Sequence, residues 1–335
     1  MKLTYNQIKD IIRGAVRVVE DNGVIRLYRF TRQQEELYKT KNSELYFKTF
    51  SSSGIKLIFR TNSKKMTLNI ETSKGSSRGY FSVDVVVDGK LTDCLDNYSF
   101  LTLPHDYTGL EFPEGEFKKE FNLGEGEKNV CVHLPWSVST AIKEIEIDDG
   151  AFIKAVTPKK KLLVFGDSIT QGYDALHPSN RYIAKLAEKL EAEEFNKAIG
   201  GEKFFPSLAA LKDSFTPDYI TVSYGSNDWK RLDRETFKNN CRQFFENLNN
   251  NYPEVKIYAI TPIWRKDMFD KHPFGDFCDI EKLIRECVKD IENITVISGF
   301  DFVPKDEKYF ADLRLHPNDE GFEYYSENLF KAIGV

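Results

Sequence analysis

The sequence contains no apolar run as long as a membrane span, and its start, MKLTYNQIKDIIRGAVRVVEDNG, has no continuous apolar core of a secretion signal. It also has no excess of positive charge, with 47 lysines and arginines against 52 aspartates and glutamates. Because phosphate backbones are bound by basic surfaces, we expect neither nucleic acid nor a membrane as a partner. These features predict a cytoplasmic protein.

Cysteine and histidine are also scarce, with five of each in 335 residues. The cysteines form no CxxC pair and no set with the spacing of zinc ligands, so the sequence predicts five free thiols, no metal site and no cofactor. These thiols are Cys94, Cys131, Cys241, Cys278 and Cys287.

Hydrophobic residues make up 41% and charged residues 30% of the chain, as in an ordinary globular protein. A single core usually stops growing below this length, so we expect two domains. The periodicity changes at 154–161, KAVTPKKK, which could be a nuclear signal but is more simply a solvated linker in an acidic chain. We place the domains at 1–155 and 156–335.

The first domain has the alternating pattern of half-buried strands between Tyr46 and Asp149. Asp88-Gly89 is a two-residue hairpin signal. Many short strands without intervening helices predict a jelly-roll-like β-sandwich, an accessory domain that could bind substrate. The alternating runs are 55–59, 66–70, 81–87 and 130–134.

The second domain repeats strand, loop and helix, which predicts a three-layer α/β domain with a parallel sheet. The predicted strands are 162–165, 193–199, 219–224, 255–260 and 294–297. The predicted helices are 180–190, 233–248, 276–291 and 319–333.

In an open parallel sheet, ligands bind beyond the carboxyl ends of the strands. The loop after the first such strand reads GDSITQGY (166–173). Ser168 in this loop could project its hydroxyl into the crevice, near a helix N-terminus that favours negative charge. The alternative is a serine that only caps the helix.

The loop DLRLHPND (312–319) supplies a candidate general base, His316, with Asp312 four residues upstream. A neutral imidazole can take the serine proton and return it to the leaving group. The other histidines lack such a setting and are interpreted as surface or packing residues. They are His105, His133, His272 and His177, of which His177 is nearest to the serine loop in sequence.

Two further strand ends, NKAIGG (196–201) and YGSNDW (224–229), offer a glycine N–H and a side-chain amide. With the N–H of Ser168, they could form a three-donor oxyanion hole. Taken alone, each loop is more simply an ordinary turn.

In this order, GDSIT, NKAIGG, GSND and HPND resemble the four sequence blocks of the SGNH (GDSL-like) hydrolase superfamily, from about Lys161 to the end. The resemblance implies that Ser168 is the nucleophile and His316 the base. It also implies that Ser168, Gly201 and Asn227 form the oxyanion hole.

One position departs from this resemblance, because the family usually has its acid three residues before the histidine, where this chain has Leu313. Either the loop has one additional residue and Asp312 completes a triad, or the enzyme is a Ser-His dyad with a backbone carbonyl orienting the ring. We expect the triad.

A sandwich followed by an SGNH domain also resembles carbohydrate esterase family two, acetyl esterases acting on plant polysaccharides and oligosaccharides. Four residues at strand ends could line a sugar site, although core packing explains each one equally well. They are Tyr173, Trp229, Trp264 and Arg265.

The sequence therefore predicts a serine esterase that removes O-acetyl groups from carbohydrates, with an acetylated oligosaccharide or another small ester as its substrate. One alternative is a lipid-directed esterase, lysophospholipase or thioesterase on the same scaffold. The other is a carbohydrate-binding protein with an inactive SGNH domain.

Overall fold

The computed structural model describes residues 1–107 and 109–334, and its strands form three sheets. Two of them are antiparallel and lie in the first half of the chain, and the third is parallel and lies in the second half. No helix in the described ranges has both the length and the apolar character needed to cross a membrane. The predicted combination of a β-sandwich and an α/β domain is confirmed.

The described residues of the first half form eleven strands. In chain order they are β1 (Ile12–Arg13), β2 (Arg17–Asp21), β3 (Val24–Tyr28), β4 (Lys56–Thr61), β5 (Lys65–Lys74), β6 (Ser82–Val87), β7 (Lys90–Asp96), β8 (Gly115–Asn122), β9 (Lys128–His133), β10 (Val138–Ile147) and β11 (Ile153–Ala155). One sheet has the order β1-β4-β9-β6-β7, with β11 also paired to β4, and the other has the order β2-β3-β10-β5-β8.

The alternating side chains of these strands form one core between the two sheets. Leu57 and Phe59 of β4 and Leu68 and Ile70 of β5 are fully buried in it. The predicted hairpin turn is present, since Asp88 has φ +47° and Gly89 has φ +79° where β6 turns into β7. Burial of the inward-facing apolar side chains, which occupy every second position of the strands, thus stabilises the sandwich.

The second half contains the parallel sheet β13-β12-β14-β15-β16. Its strands are β12 (Lys160–Gly166), β13 (Ala192–Asn196), β14 (Tyr219–Ser223), β15 (Lys256–Ile260) and β16 (Ile294–Ile297), which confirms all five predicted strands. The chain order reverses at β12, so the crevice at the end of β12 is the switch point where such sheets bind ligands.

Seven α-helices occur in the described part of this half, up to residue 334. They are α4 (Ser168–Gln171), α5 (Tyr182–Lys189), α6 (Pro206–Ala209), α7 (Ser226–Arg231), α8 (Arg234–Asn251), α9 (Asp279–Val288) and α10 (Asp319–Ile333). All four predicted helices are among them. Short 3-10 turns occur at Phe47–Phe50, Pro178–Asn180 and Glu307–Tyr309.

Three helices in the first half were not predicted: α1 (Tyr5–Ile11), α2 (Arg32–Lys41) and α3 (Ser43–Tyr46). Thr31 begins α2 with a capping box, in which its side chain and that of Gln34 satisfy each other's backbone N–H groups. The same T-x-x-Q pattern begins α1. This pattern is visible in the sequence and could have revealed both helices.

The two halves pack against each other around α2 rather than meeting only at a linker. Phe30 and Tyr38 are buried in the same core as Leu163 and Trp229 of the α/β half. The buried guanidinium of Arg29 donates hydrogen bonds to backbone carbonyls on both sides, including that of Asn196 at 2.8 Å. The sandwich is therefore joined to the loops at the strand ends of the parallel sheet.

Candidate active site

Ser168 is the first residue of α4, directly after the central strand β12. Asp167 caps this helix by accepting the N–H of Ile169 at 3.0 Å. A side chain at Gly166 would lie 2.4 Å from the Thr170 hydroxyl, so the tight turn requires glycine there. The turn places the Ser168 side chain at the switch point. The backbone N–H of Ser168 lies in the first turn of α4, where helix geometry provides no carbonyl acceptor from a preceding turn.

His316 and Asp312 lie next to this serine. The His316 Nε2 is 2.9 Å from the Ser168 Oγ, and the His316 Nδ1 is 2.9 Å from Asp312 Oδ2. The Asp312 carboxylate accepts a hydrogen bond from Nδ1, so the proton of the neutral imidazole is on Nδ1. Nε2 is then free to accept the proton of the serine hydroxyl. The arrangement can therefore activate Ser168 as a nucleophile.

The loop before His316 settles how Asp312 reaches the ring. Leu313 has φ +54°, a left-handed conformation that takes up the additional residue of this loop. Asp312 Oδ1 accepts the backbone N–H groups of Arg314, Leu315 and His316 at 2.7 to 3.0 Å. The geometry thus corresponds to the triad rather than to a dyad with a backbone carbonyl.

A second carboxylate, that of Asp174, was missed by the sequence analysis. Its Oδ2 lies 3.2 Å from the same Nδ1 of His316, and its side chain is fully buried. Arg78, from the sandwich loop between β5 and β6, holds Asp174 with hydrogen bonds of 2.7 and 3.1 Å. An aspartate six residues after Ser168 was the available signal, but sequence spacing alone does not relate it to His316.

These two carboxylates set the protonation of His316. Burial alone would lower the pKa of the imidazole, but the negative charges of Asp174 and Asp312 outweigh burial and raise this pKa to about 9. Burial would raise the pKa of both carboxyls, yet their pKa values are lowered, because His316 contacts both and Arg78 contacts Asp174. Both aspartates are therefore ionised at neutral pH.

The described residues contain one group with the chemistry of metal ligands, and it is this same set of Asp174, Asp312 and His316. Arg78 and the imidazole already supply positive charge to both carboxylates. A cation would have to displace these partners, so we assign the two carboxylates to orienting the imidazole.

The loops carrying the predicted oxyanion donors converge on the serine loop. Gly201 has φ +89°, which favours glycine at that position. The Asn227 Nδ2 donates to the Glu202 carbonyl at 3.1 Å and lies 3.4 Å from Asp167 Oδ2. Asn227 is thus joined both to the residue before Ser168 and to the residue after Gly201. A shared oxyanion role for Gly201 and Asn227 stays a prediction.

Two cations flank the glycine loop. The Lys48 Nζ donates to the Gly200 carbonyl at 2.5 Å, and Arg231 donates to the Gly201 carbonyl at 3.1 Å. Their charge leaves a positive potential beside the predicted oxyanion donors.

Beneath this loop lies a buried acid, Glu202. It accepts hydrogen bonds from the Tyr38 hydroxyl at 2.6 Å and the Tyr224 hydroxyl at 2.9 Å. Burial raises its pKa to about 8, although both hydroxyl contacts act in the opposite direction. Glu202 is therefore mainly protonated at neutral pH and adds little negative charge near the oxyanion donors.

The predicted sugar-stacking residues require a correction. Trp229 is fully buried, with its indole N–H donating to the Gly275 carbonyl at 2.8 Å, and the buried Arg265 is paired with Asp267. Tyr173 is also buried and lies against the His316 ring at 5.6 Å. The side chains of these three residues are covered by neighbouring helices and loops. They contribute to packing, and their faces are not accessible for stacking on a sugar.

Trp264 is half-buried and packs on Phe310, with ring centroids 5.3 Å apart. Of the four residues predicted to line a sugar site, it is the one that keeps a partly accessible ring. A sugar-stacking role for Trp264 stays a prediction.

The remaining histidines lie apart from the Ser168 hydroxyl. The His177 Nδ1 pairs with Asp84 at 2.9 Å, the His105 Nδ1 contacts the Ala311 carbonyl at 2.6 Å, and the His272 ring packs on Trp229. Burial lowers the pKa of His133 well below its usual range. Their contacts match the packing and surface roles assigned from sequence.

A parallel α/β sheet with a serine, an imidazole and carboxylates at its switch point defines a hydrolase-type site. Residues 164–324 match the GDSL-like Lipase/Acylhydrolase family. This match covers all four motifs and confirms the resemblance found in the sequence.

Solved structures of similar fold span nearly the whole chain. A protein described as a GDSL-like lipase from Bacteroides ovatus is 20% identical, with 99% of this chain and 96% of that chain covered and a TM-score of 0.79. The salicylyl-acyltransferase SsfX3 of a tetracycline biosynthetic pathway is 19% identical, with 96% and 93% covered and a TM-score of 0.77.

A family two carbohydrate esterase from Cellvibrio japonicus is 17% identical, with 98% of this chain and 95% of that chain covered and a TM-score of 0.67. No curated protein matches the sequence significantly. At these identities the structural likeness shows a shared two-domain fold, and the α/β half carries the family motifs.

Proposed function

We propose that this protein is a serine esterase that removes O-acetyl groups from carbohydrates, such as oligosaccharides released from plant polysaccharides. The observation that carries the proposal is the chain of contacts from Ser168 through His316 to Asp312, with both distances 2.9 Å. This geometry supports nucleophilic catalysis by the serine.

In the first step, the Ser168 Oγ attacks the acetyl carbonyl while its proton passes to Nε2 of neutral His316. The N–H groups of Ser168 and Gly201 and the amide of Asn227 stabilise the oxyanion. The tetrahedral intermediate then collapses: the bond to the sugar oxygen breaks, and His316 returns the proton to that oxygen. The products of this step are the free sugar hydroxyl and an acetyl-Ser168 ester.

In the second step, water attacks the acetyl-Ser168 ester and gives one proton to the His316 Nε2. The same oxyanion donors stabilise the second tetrahedral intermediate. Collapse breaks the bond to the Ser168 Oγ, which takes the proton from His316, and releases acetic acid, which loses its own proton to solvent as acetate. The cycle restores the enzyme without any redox change.

One comparison supports the substrate class. The two-domain architecture shared with a family two carbohydrate esterase supports a carbohydrate as the alcohol part of the ester.

The test is to measure initial rates on p-nitrophenyl acetate, butyrate and octanoate, and acetate release from acetylated mannan and xylan oligosaccharides. Ser168→Ala should abolish both activities. Ser207→Ala, which changes an exposed serine on α6, is the matched control and should retain them. Acetate preference with release from the oligosaccharides is the expected result.

Two other results would overturn the proposal in different ways. Faster turnover of octanoate than of acetate would indicate a lipid-directed esterase or thioesterase. Sugar binding without labelling of Ser168 by a fluorophosphonate would indicate a carbohydrate-binding protein with an inactive hydrolase domain.

A further inference from the structure

The imidazole of His316 faces two carboxylates on a single nitrogen. Nδ1 is 2.9 Å from Asp312 and 3.2 Å from Asp174. One ring proton cannot make two full hydrogen bonds, so the shorter contact takes the proton and the second carboxylate contributes mainly charge. A conventional triad needs only one such acid.

The backbone at Asp174 is held in an uncommon conformation. Its φ is +70°, a region that residues other than glycine seldom occupy. Its side chain is fully buried, and one oxygen also accepts the Tyr80 hydroxyl at 3.3 Å. A strained backbone and a buried charge persist only when surrounding contacts hold them in place.

Those contacts come largely from the sandwich. The Arg78 guanidinium binds both oxygens of Asp174 and lies over the Tyr107 ring at 4.4 Å and the Tyr173 ring at 5.5 Å. A planar guanidinium between two aromatic rings has little freedom to move. Arg78 thereby fixes where the Asp174 carboxylate faces His316.

We propose that Asp174 is a positioning residue that shares the His316 imidazole with Asp312, and that Arg78 of the β-sandwich holds Asp174 in that place. The role rests on the proposed function, in which His316 is the base. The second carboxylate stabilises the imidazolium that forms when Ser168 is deprotonated. It also provides an alternative orienting group when Asp312 is lost.

Several other charged or titratable groups face His316 or its two carboxylates. Asp167, whose pKa is raised to about 6 by burial, titrates well below His316. Arg314 lies 3.9 Å from Asp312, and burial raises the pKa of Tyr107 to about 12. The groups are Asp167, Arg78, Arg314, Tyr80, Tyr107 and Tyr173. Because several groups surround the ring, the titration has to be followed on the His316 signal itself.

The first measurement is an NMR titration of His316 in the full-length protein labelled at histidine, with His316→Gln to assign its signal. We expect Asp174→Asn to lower the pKa of His316 by about one unit or more, because one of the two charges that raise it is gone. Asp84→Asn is the matched control, since it removes a buried carboxylate that contacts Nδ1 of a different histidine, His177. This control should leave the His316 titration unchanged.

The second measurement is the pH dependence of kcat/KM for the single variants Asp174→Asn and Asp312→Asn and for the double variant. We expect the acid side of the kcat/KM profile to move to lower pH in Asp174→Asn, by the same amount as the His316 pKa measured by NMR. We also expect Asp312→Asn to lose about 10- to 100-fold, less than the roughly 10⁴-fold seen where a triad has one acid. The double variant should lose more than the product of the two single losses.

The third measurement tests the Arg78 contact. In the Arg78→Lys background, Asp174→Asn should still lower the His316 pKa by most of the amount seen with Arg78 present. In the Arg78→Met background, Asp174→Asn should no longer shift the His316 pKa. An unshifted titration in Asp174→Asn, or multiplicative losses in the double variant, would overturn the role of Asp174. An undiminished Asp174 effect in Arg78→Met would overturn the role of Arg78.

The NMR titration also separates this proposal from the proposed function. If the wild-type protein hydrolysed no ester, the esterase proposal would fail, while the pKa shift would still show whether Asp174 acts on His316. If esters were hydrolysed and the shift were absent, the esterase proposal would stand and the role of Asp174 would fall.

Discussion

The Asp312 carboxylate meets the His316 imidazole at 2.9 Å although it lies four residues earlier in the chain, and Leu313 between them has φ +54°. The left-handed residue shortens the path of the loop, so the longer spacing still delivers the acid to the ring. A change in motif spacing is thus compensated by one backbone conformation.

This relationship predicts opposite effects of two substitutions at Leu313. Leu313→Gly should keep the free energy of unfolding within about 1 kcal/mol of wild type, because glycine adopts positive φ without strain. Leu313→Val should lower it by about 1 to 2 kcal/mol, because a β-branched side chain is crowded there. Urea unfolding and esterase rates would measure both.

The control for this pair is Leu315, whose φ is not positive. There the order should reverse, with the valine variant more stable than the glycine variant. Equal stability of the two Leu313 variants would contradict the compensation by backbone conformation.

The raised pKa of His316 predicts an alkaline pH profile. Only the neutral imidazole can accept the Ser168 proton, and the neutral form becomes the majority above about pH 9. The value of kcat/KM should therefore rise about tenfold per pH unit below that point and level off above it. Rates from pH 6 to 10, corrected with Ser168→Ala for spontaneous hydrolysis, would measure the profile; a plateau already present at pH 7 would refute it.

Loss of the Asn227 amide should lower kcat much more than it changes KM. Asn227→Ala removes the amide donor proposed for the developing oxyanion, so we expect a loss of about 10²- to 10³-fold in kcat. It also removes the hydrogen bond from this amide to the Glu202 carbonyl. Asn247→Ala is the matched control, because the Asn247 amide donates to the Pro206 carbonyl at 3.0 Å in a similar way but on α8. A rise in KM without a fall in kcat would argue against an oxyanion role.

The charges of Lys48 and Arg231 should assist the reaction at low ionic strength. Each lies beside the glycine loop, so Lys48→Met and Arg231→Met should each lower kcat/KM by about 2- to 10-fold. The effect should shrink as salt is raised, because partly exposed charges are screened. Lys39→Met, on the exposed side of α2, serves as the control, and equal behaviour of all three variants would remove the electrostatic role.

Glu202 should make the protein less stable as the pH rises. Its pKa is raised from 4.5 to about 8 by burial, so between these values the unfolded chain loses a proton that the folded protein keeps. The folded state binds more protons in this window, and stability therefore falls with increasing pH. In Glu202→Gln this contribution is absent.

We therefore expect the unfolding free energy of Glu202→Gln, relative to wild type, to increase from pH 5 to pH 8. Urea unfolding at several pH values would measure it, with Glu36→Gln as an exposed control on α2. A difference that is the same at pH 5 and pH 8 would mean that Glu202 does not change its protonation on folding.

The strands and the main site residues could be predicted because they depend on local pattern. The runs around Leu57 and Leu163 have the periodicities of their sheets, and both residues are fully buried. Ser168, Gly201, Asn227 and His316 each follow a strand or precede a helix, so the topology of a parallel sheet was enough to bring their loops to one edge.

The aromatic residues show the limit of that reasoning. Trp229 lies two residues after Asn227, and the sequence does not show on which side of α7 its ring packs. The structure buries it against Phe277, with ring centroids 5.1 Å apart. Exposure depends on what other elements cover a side chain, which is a long-range property.

The sequence by itself determined two halves of different periodicity and a serine, two donor residues and a histidine at strand ends. Only the tertiary structure decided that Asp174 joins Asp312 at the imidazole and that Arg78 and Tyr38 of the first half support the site. The physical reason is that periodicity and turn propensity act over a few residues. Contacts such as Arg78 with Asp174, which are 96 residues apart, depend on how two separately patterned halves pack together.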